Sequence, residues 1–310
     1  MKALVARSYR PLEDLEFADL PTPVAGPGQL LVRLQAAALN AVDKVLVTGA
    51  MRDALPVRHP FVPGVDISGV VEAVGEGATH FGIGDAVIAW NSVASGALAE
   101  YVLIKDAPSA ARRPAELTAA QGAALPTGAL TAAALLDNVR VSDGGSVLVV
   151  GATGGVGSYT VQLAKQAGLT VVATGRADDR DFLGRLGADH VLDYRQVDVA
   201  RETHRLIPGG VDTVIDVANA GPALATTAAA ARNGGTLISP LGGPPAFERD
   251  VTAVYEGTRA PEGRLEELAA KAAKGELRVE IDSDYPFAQA RQALVDFASH
   301  HIRGKVTVTF

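Results

Sequence analysis

The sequence predicts an α/β protein of two domains, one a parallel sheet with helices on both faces and the other an all-β, barrel-like unit. A chain of 310 residues, 48% of them hydrophobic, is long enough for two cores, because single cores stop growing near this size. The first third has short apolar runs broken by Pro and Gly, and the middle alternates apolar runs with helix-length segments. The first pattern is typical of short strands and the second of βαβ units.

The all-β unit is predicted from Lys2 to about Leu117. Its expected strands are the apolar runs at residues 3–6, 30–39, 69–74, 86–90 and 99–104. Turns rich in Pro and Gly separate these runs, for example at 26–28 and 82–85. Such spacing predicts a barrel-like domain of short strands.

The parallel-sheet domain is predicted to follow. Its expected strands and helices alternate, with strands at 147–150, 170–174, 190–192, 211–217 and 236–239 and helices at 156–167, 179–186 and 222–232. After about residue 247 the alternation stops, and helices at 263–274 and 288–299 precede a closing strand at 305–309. We expect this end to return to the first domain, which gives domains of 1–117 with 250–310 and of 118–249.

Composition narrows the functional classes. The net charge is -7 with no block of like charge, so binding to nucleic acid or to an anionic membrane surface is not expected. The absence of cysteine excludes disulfides, iron–sulfur clusters, thiolate zinc sites and a cysteine nucleophile. No stretch approaches the about 20 apolar residues of a membrane span, and charge appears within a few residues of the N-terminus, so we expect a cytoplasmic protein.

The strongest local motif is the glycine-rich turn Gly151-Ala-Thr-Gly-Gly-Val-Gly157. An apolar strand runs directly into it and an amphipathic helix follows, which is the context that a dinucleotide-binding turn requires. One glycine permits the tight turn, Gly154 lets the backbone approach a pyrophosphate, and Gly157 lets helix and strand pack closely. The alternative is a turn that only connects strand to helix. The predicted cofactor-binding residues of the turn are Gly151, Thr153, Gly154, Gly155, Val156 and Gly157.

The residues after the second strand of this domain indicate which nicotinamide cofactor binds. A site for NAD usually has an acidic residue there, about 20 residues beyond the glycines, to hold the ribose 2′-hydroxyl. This chain has Gly175 and Arg176 instead. Gly175 would leave room for a 2′-phosphate and Arg176 would pair with it, with Arg180 a second candidate. We therefore expect NADPH and expect Asp178 and Asp179 to cap the next helix; the alternative is that Arg176 is an ordinary solvated arginine.

Two further loops are expected to face the cofactor, because ligands bind outside the carboxyl ends of parallel strands. The first follows the predicted fourth strand and the second follows the fifth. Their predicted cofactor-binding residues are Val217, Ala218, Pro240, Leu241 and Gly242.

With these residues placed, the chain resembles the medium-chain dehydrogenase/reductase superfamily, specifically its zinc-free quinone oxidoreductase branch. The similarity extends over essentially the whole chain and includes Asn40-Ala-Val-Asp43, Pro63-Gly-Val-Asp-Ile-Ser-Gly-Val-Val71, Leu186-Gly-Ala-Asp189 and Arg303-Gly-Lys305. It implies a Rossmann dinucleotide-binding domain, a GroES-like β-barrel catalytic domain and a homodimer.

The resemblance also bears on metal binding. Zinc-dependent alcohol dehydrogenases of the superfamily carry a Cys where Asn40 stands and a His-Glu pair where Val65-Asp66 stands. Neither is present here, and the six histidines lack the spacing of a zinc site, so no metal is expected. Without a Lewis acid, the substrate must itself spread the negative charge, as a quinone or an α,β-unsaturated ketone does after hydride addition.

The resemblance further implies where the catalytic residues lie. Asn40 and Asp43 are expected at the cleft between the domains and Thr131 beside the nicotinamide, where they would position cofactor or substrate through hydrogen bonds. Tyr194 is expected near the 2′-phosphate. The alternatives are that Asn40 and Thr131 are structural caps and that Asp43 holds neighbouring backbone. Asp66 is expected to be buried and bonded to local backbone.

The resulting hypothesis is an NADPH-dependent reductase of quinones or enones. One alternative is an enoyl-thioester reductase, which would need phosphate-binding arginines on the barrel domain. Another is a non-catalytic NADPH-binding protein, a sensor or a structural protein, because fold alone does not establish catalysis. Trp90 and Tyr255 are the aromatic side chains considered for the substrate entrance, with core packing the alternative for Trp90.

Overall fold

The computed structural model describes residues 1–92, 96–141 and 144–310, which fold into two compact units. Unit 1 comprises Met1–Thr127 and Ala260–Phe310, and unit 2 comprises Gly128–Arg259. The strands of the described residues are β1 (Lys2–Val5), β2 (Glu16–Asp19), β3 (Gln29–Ala38), β4 (Asp66–Val74), β5 (Ala86–Trp90), β6 (Tyr101–Lys105), β7 (Ala110–Arg112), β8 (Ser146–Val150), β9 (Thr170–Gly175), β10 (His190–Asp193), β11 (Val211–Asp216), β12 (Ala231–Ser239), β13 (Ala246–Phe247), β14 (Val251–Tyr255), β15 (Ile281–Pro286) and β16 (Lys305–Thr309). The α-helices are α1 (Ala41–Thr48), α2 (Ala119–Ala124), α3 (Pro126–Leu136), α4 (Gly155–Gln166), α5 (Arg180–Leu186), α6 (Val199–Leu206), α7 (Leu224–Ala228), α8 (Arg264–Ala273) and α9 (Ala290–Ser299).

The long strand β3 organises unit 1. One edge of β3 pairs antiparallel with β4, and the other pairs antiparallel with β6 along its first half and with β16 along its second half. The sheet continues from β4 to β5 and β7, and from β16 to β15. Buried side chains of these strands, among them Leu30, Val32 and Ile67, form one core with Leu98 and Leu294. The closing strand therefore belongs to unit 1.

The sheet of unit 2 has the strand order β10-β9-β8-β11-β12-β14-β13 and is parallel except at β13. All residues of the central strand β8 are buried. Alternate side chains of a strand point to opposite faces: Val147 and Val149 pack in one core with residues of α4 and α5, and Leu148 and Val150 pack in another with residues of α6 and α7. These two cores confirm the predicted parallel sheet with helices on both faces.

Both boundaries between the units differ from the expected ones. Helix α2 packs through Ala123 against two alanines of β3, so unit 1 runs to Thr127 and not to residue 117. Strand β14 pairs in parallel with β12, so unit 2 runs to Arg259 and not to residue 249. Strand β14 was not predicted, because its sequence Val-Thr-Ala-Val-Tyr lacks the continuous apolar run of a buried strand, and Val251 is its one buried residue.

Among the described residues, one helical stretch, Ala119–Leu136, has the length and composition to cross a membrane, with a mean hydropathy of 1.2. However, 72% of this stretch is buried inside the protein. Such burial is typical of the core helix of a globular protein, so the stretch is only weak evidence for a membrane span.

The start of α4 lies against the end of β8, and Gly157 makes this packing possible. A Cβ atom on Gly157 would overlap the carbonyl oxygen of Gly151 and lie 2.7 Å from the Cα atom of Ala152. Both are backbone atoms, which cannot turn aside as a flexible side chain would. Close packing of helix on strand therefore requires glycine at 157, in agreement with the packing role predicted for it.

The Gly157→Ala substitution is expected to lower the free energy of unfolding by about 1–3 kcal/mol, the usual cost of forcing a methyl group into a packed interior. The matched control is Gly184→Ala in α5, where an added Cβ meets no atom within 4 Å. Alanine there should stabilise the helix by about 0.5–1 kcal/mol. Urea denaturation followed by circular dichroism should show midpoints that move in opposite directions, and identical midpoints would contradict the packing role.

Candidate functional site

The carboxyl ends of neighbouring parallel strands bring the predicted cofactor-binding segments to one edge of the unit 2 sheet. The strands concerned are adjacent in the order β10-β9-β8-β11-β12. The glycine turn follows β8, Arg176 follows β9, Tyr194 follows β10, Val217 follows β11 and Pro240 follows β12. Ligands of such sheets bind outside this edge.

The glycine turn leaves open space at the start of α4. Gly151 has a left-handed φ of 79°, and its N–H donates to Thr174 Oγ1 at 3.1 Å. A Cβ atom on Gly154 would meet only the carbonyl oxygen of Gly151, at 3.7 Å. Since the first N–H groups of a helix have no intrahelical acceptor, an anionic group beside Gly154 would meet N–H donors and the positive end of the α4 dipole.

The other residues of the turn differ in exposure. Thr153 is buried, whereas Gly155 and Val156 are half-buried at the first turn of α4. The side chain of Thr153 is therefore part of the packing of the turn.

Arg176 and Tyr194 lie together after β9 and β10. Arg176 Nε donates to Tyr194 Oη at 3.4 Å, with Tyr194 exposed and Arg176 half-buried. Asp179 is fully buried and accepts the backbone N–H of Arg176 at 2.7 Å. It was predicted to cap the next helix, but its side chain makes no capping hydrogen bond to α5, so that prediction was wrong. A Cβ atom on Gly175 would lie 2.8 Å from Leu183 Cδ1. Packing therefore explains this glycine, and room for a phosphate at Gly175 stays a prediction.

The fully buried Asp216 at the end of β11 organises the next loop. Its Oδ1 accepts the N–H groups of Ala218 at 2.9 Å and of Asn219 at 2.8 Å. Its Oδ2 accepts from Asn219 Nδ2 at 2.9 Å and from Thr227 Oγ1 at 2.6 Å. Asp216 was not among the residues predicted from the sequence. An acidic residue at the end of a buried strand is the signal that could have indicated it.

The loop after β12 is held by hydrogen bonds that its own main-chain N–H and C=O groups make. Leu241 is exposed and its N–H donates to Ser239 Oγ at 3.1 Å. Gly242, with φ 73°, accepts the N–H of Gly221 at 2.8 Å. Pro240 is half-buried.

Thr131 lies in α3 and is 3% exposed. Its hydroxyl is 2.7 Å from that of Thr258, a residue after β14 that was not predicted from the sequence.

Tyr255 Oη donates to the carbonyl oxygen of Pro244 at 2.5 Å, which connects Tyr255 to the neighbouring loop. Trp90 is half-buried at the end of β5 in unit 1, and a role of these aromatic residues at a substrate entrance stays a prediction.

Unit 1 contains a buried polar cluster formed by Asn40, Asp43, Asp66 and Lys305. Asn40 Nδ2 donates to Asp66 Oδ2 at 2.9 Å, and Lys305 Nζ donates to Asn40 Oδ1 at 2.6 Å and to Asp66 Oδ2 at 3.0 Å. Asp66 Oδ1 accepts both the backbone N–H of Thr127, at 2.9 Å, and its hydroxyl, at 2.6 Å. Lys305 is 3% exposed and Asp66 fully buried. Asp66 was expected to bond local backbone, but the backbone N–H that it accepts belongs to Thr127, 61 residues away; the expectation of a local contact was wrong.

Asp43 is the second carboxylate of this cluster and is fully buried. It accepts the backbone N–H of Asn40 at 2.8 Å, at the start of α1, and the N–H of Gly64 at 2.9 Å. Burial, the largest effect, and the nearby charge of Asp66 raise the pKa of Asp43 to about 7, although the two N–H groups and Lys305 act in the opposite direction. The structure places Asp43 as a holder of backbone, the alternative weighed for it.

Lys305 is the member of the cluster that sequence reasoning missed. The residue was noted only as part of the closing motif, because a lysine in a terminal strand is usually a solvated side chain. Within the part of the chain that the structure describes, no group of three or more His, Asp or Glu side chains could hold a metal ion.

Two family models match the chain. The model described as "Alcohol dehydrogenase GroES-like domain" matches residues 26–113, and that described as "Zinc-binding dehydrogenase" matches residues 186–308. The first supports the GroES-like domain expected for unit 1.

Similar proteins match over most of the chain. A chloroplastic quinone-oxidoreductase homologue of Spinacia oleracea is 33% identical, over 95% of this chain and 93% of the relative. An NADPH-dependent alkenal/one oxidoreductase of Arabidopsis thaliana is 30% identical, over 99% of this chain and 79% of the relative. The structure of mycobacterial Rv1454c complexed with NADPH matches with a TM-score of 0.89 and 28% identity, over 100% of both chains. Together with the family models, these matches confirm the predicted fold class.

The raised pKa of Asp43 predicts a pH dependence of stability. Its carboxyl holds a proton in the folded state up to about pH 7, whereas in the unfolded state the carboxyl has its ordinary pKa of 3.8 and releases the proton there. Stability should therefore fall as pH rises from about 4 to about 7, since the folded state binds more protons in that window.

Asp43→Asn removes this titration. Between pH 5 and pH 8 the free energy of unfolding of the wild type should fall by about 2 kcal/mol more than that of the variant. Urea denaturation at several pH values measures both curves, and the variant controls for the histidines and all other titrating groups. Parallel curves would show that Asp43 does not titrate in this range.

Proposed function

Since the chain belongs to the quinone oxidoreductase branch of the medium-chain dehydrogenase/reductase superfamily, we propose that it is an NADPH-dependent enzyme that transfers hydride to a quinone or an α,β-unsaturated carbonyl compound. The observation that carries the proposal is the open start of α4 at Gly154, on the sheet edge that also holds Arg176 and Tyr194. Bound NADPH supplies the hydride.

The residues of this edge fit a phosphorylated dinucleotide. The pyrophosphate would be held by N–H groups at the start of α4, beside Gly154, because a helix N-terminus favours an anion. Arg176 would pair with the 2′-phosphate through charged hydrogen bonds, and its contact with Tyr194 Oη would orient the guanidinium. No acidic side chain follows β9 before Asp178, so the position at the end of the strand that holds the ribose 2′-hydroxyl in NAD sites carries no acid here.

The relatives support the substrate class. One is named a quinone-oxidoreductase homologue and another an alkenal/one oxidoreductase. Both substrate types accept hydride at a conjugated carbonyl and spread the resulting charge onto oxygen, which places few demands on protein acids and bases. Asn40 and Thr131 are proposed to position the reactants through hydrogen bonds, with Asp43 holding the segment that carries Asn40.

The 2′-phosphate contact predicts the effect of Arg176→Ala. The Kd for NADPH should rise by about tenfold or more, the usual effect of removing a charged hydrogen bond of about 1.5–3 kcal/mol, while the Kd for NADH should stay unchanged. Arg201→Ala removes the same charge from the exposed face of α6 and is the matched control. Fluorescence titration of each protein with both cofactors measures the four constants. An equal loss for NADPH and NADH would remove Arg176 from the phosphate site.

Turnover tests the proposed reaction directly. NADPH oxidation should be observed with a panel of quinones and short-chain enones, and the rate should exceed that with the corresponding enoyl thioester. A preference for the thioester would favour the enoyl-thioester reductase. Tight NADPH binding without turnover of any panel member would favour a non-catalytic NADPH-binding protein.

A further inference from the structure

The partners of Asn40 fix the direction of its side-chain amide. A lysine ammonium can only donate hydrogen bonds and an ionised carboxylate can only accept them. Lys305 Nζ lies 2.6 Å from Asn40 Oδ1, and Asp66 Oδ2 lies 2.9 Å from Asn40 Nδ2. The reversed amide would set its NH2 group against the ammonium and its oxygen against the carboxylate. The orientation is therefore determined by charge on both sides.

This orientation leaves Asn40 with one kind of hydrogen-bonding capacity. The Nδ2 group has two hydrogens, and they are donated to Asp66 Oδ2 and to the carbonyl oxygen of Ala38, the latter at 3.2 Å. The Oδ1 atom has two lone pairs, of which Lys305 takes one among the described residues. Asn40 can therefore accept one further hydrogen bond and cannot donate another.

We infer that Lys305 is a positioning residue, which holds Asn40 so that its amide oxygen accepts a hydrogen bond from an N–H or O–H group of the bound cofactor or substrate. The inference rests on the proposed function, in which Asn40 contacts the reactants. It also implies that Asn40 does not donate to the substrate oxygen that gains negative charge. The donor for that oxygen must come from another residue or from the cofactor.

Stability alone does not account for this lysine. Replacing a buried ion pair by apolar residues of similar volume is often neutral or stabilising, yet Lys305 is 3% exposed and its partner Asp66 is fully buried. The ammonium contacts both Asp66 and Asn40, so it does more than neutralise one carboxylate. Orientation of the amide is the additional effect that an apolar residue could not provide.

The absence of cysteine from the chain permits a test in which only the charge at position 305 changes. Lys305→Cys is unfolded and alkylated either with 2-bromoethylamine, which restores an ammonium at nearly the length of lysine, or with 1-bromopropane, which gives a neutral side chain of the same length. In both reactions the thiolate displaces bromide. Both adducts and the wild type are then refolded in parallel, and activity is expressed per folded molecule from circular dichroism.

The aminoethyl adduct should recover kcat to within about threefold of the refolded wild type, whereas the propyl adduct should be about tenfold slower or worse, because misplaced reactants react slowly. The Kd for NADPH should be similar in both, since the proposed phosphate contacts lie in unit 2. Equal kcat values for the two adducts would overturn the inference.

If the propyl adduct does not refold, Lys305→Met combined with Asp66→Asn removes both charges together. The same loss of kcat is expected there, and wild-type kcat in that variant would overturn the inference.

A second measurement does not depend on turnover. The chain has five asparagines, so a sample labelled with 15N only at asparagine gives few side-chain amide signals, and Asn40→Asp identifies those of Asn40. Both amide protons of Asn40 should exchange slowly in the wild type and in the aminoethyl adduct, and at least one should exchange rapidly in the propyl adduct. Rapid exchange in the wild type would contradict the fixed orientation. A wild type that shows slow exchange but no turnover would refute the proposed function and leave the orientation intact.

Discussion

A fully buried carboxylate must have its oxygens satisfied by donors, and this requirement shapes the loops of both units. Among the described residues, the aspartates with no exposed surface are Asp43, Asp66, Asp179 and Asp216. Each accepts at least one backbone N–H. The donor lies in, or next to, a segment that was predicted from the sequence to form the site. Burial of the charge without these bonds would be strongly unfavourable, so each aspartate fixes the conformation of the chain around it.

An amide could not replace these carboxylates without loss. Asp43 accepts through both oxygens, one from Asn40 and one from Gly64. Asp216 accepts four hydrogen bonds, two through each oxygen. Asparagine has a single acceptor oxygen, and its NH2 group would face donors. The loops therefore depend on carboxyl groups that can accept hydrogen bonds through both oxygens.

The local parts of the structure could be predicted from the sequence, and the long-range polar contacts could not. The strand, turn and helix around Gly151–Gly157 were predictable because an apolar run, glycines and an amphipathic segment are adjacent in the chain. Helix 222–232 was predicted too long, since α7 ends at Ala228 and β12 begins at Ala231; alanine-rich sequence favours helix, but pairing with β11 prevails. Lys305 and Asp66 are 239 residues apart in the sequence, and no local pattern indicates that a lysine in a closing strand is buried.

The cluster in unit 1 contains two carboxylates but one ammonium, so its charges cannot all be balanced by direct pairing. Lys305 contacts Asp66 and not Asp43, which accepts hydrogen bonds from main-chain N–H groups. Burial and, to a smaller extent, the charge of Asp66 raise the pKa of Asp43 to about 7, so the carboxyl without an ammonium partner is the one that retains a proton near neutrality. The hydrogen bonds that orient the Asn40 amide come from Lys305 and go to Asp66, and the Asp43 carboxyl takes no part in them.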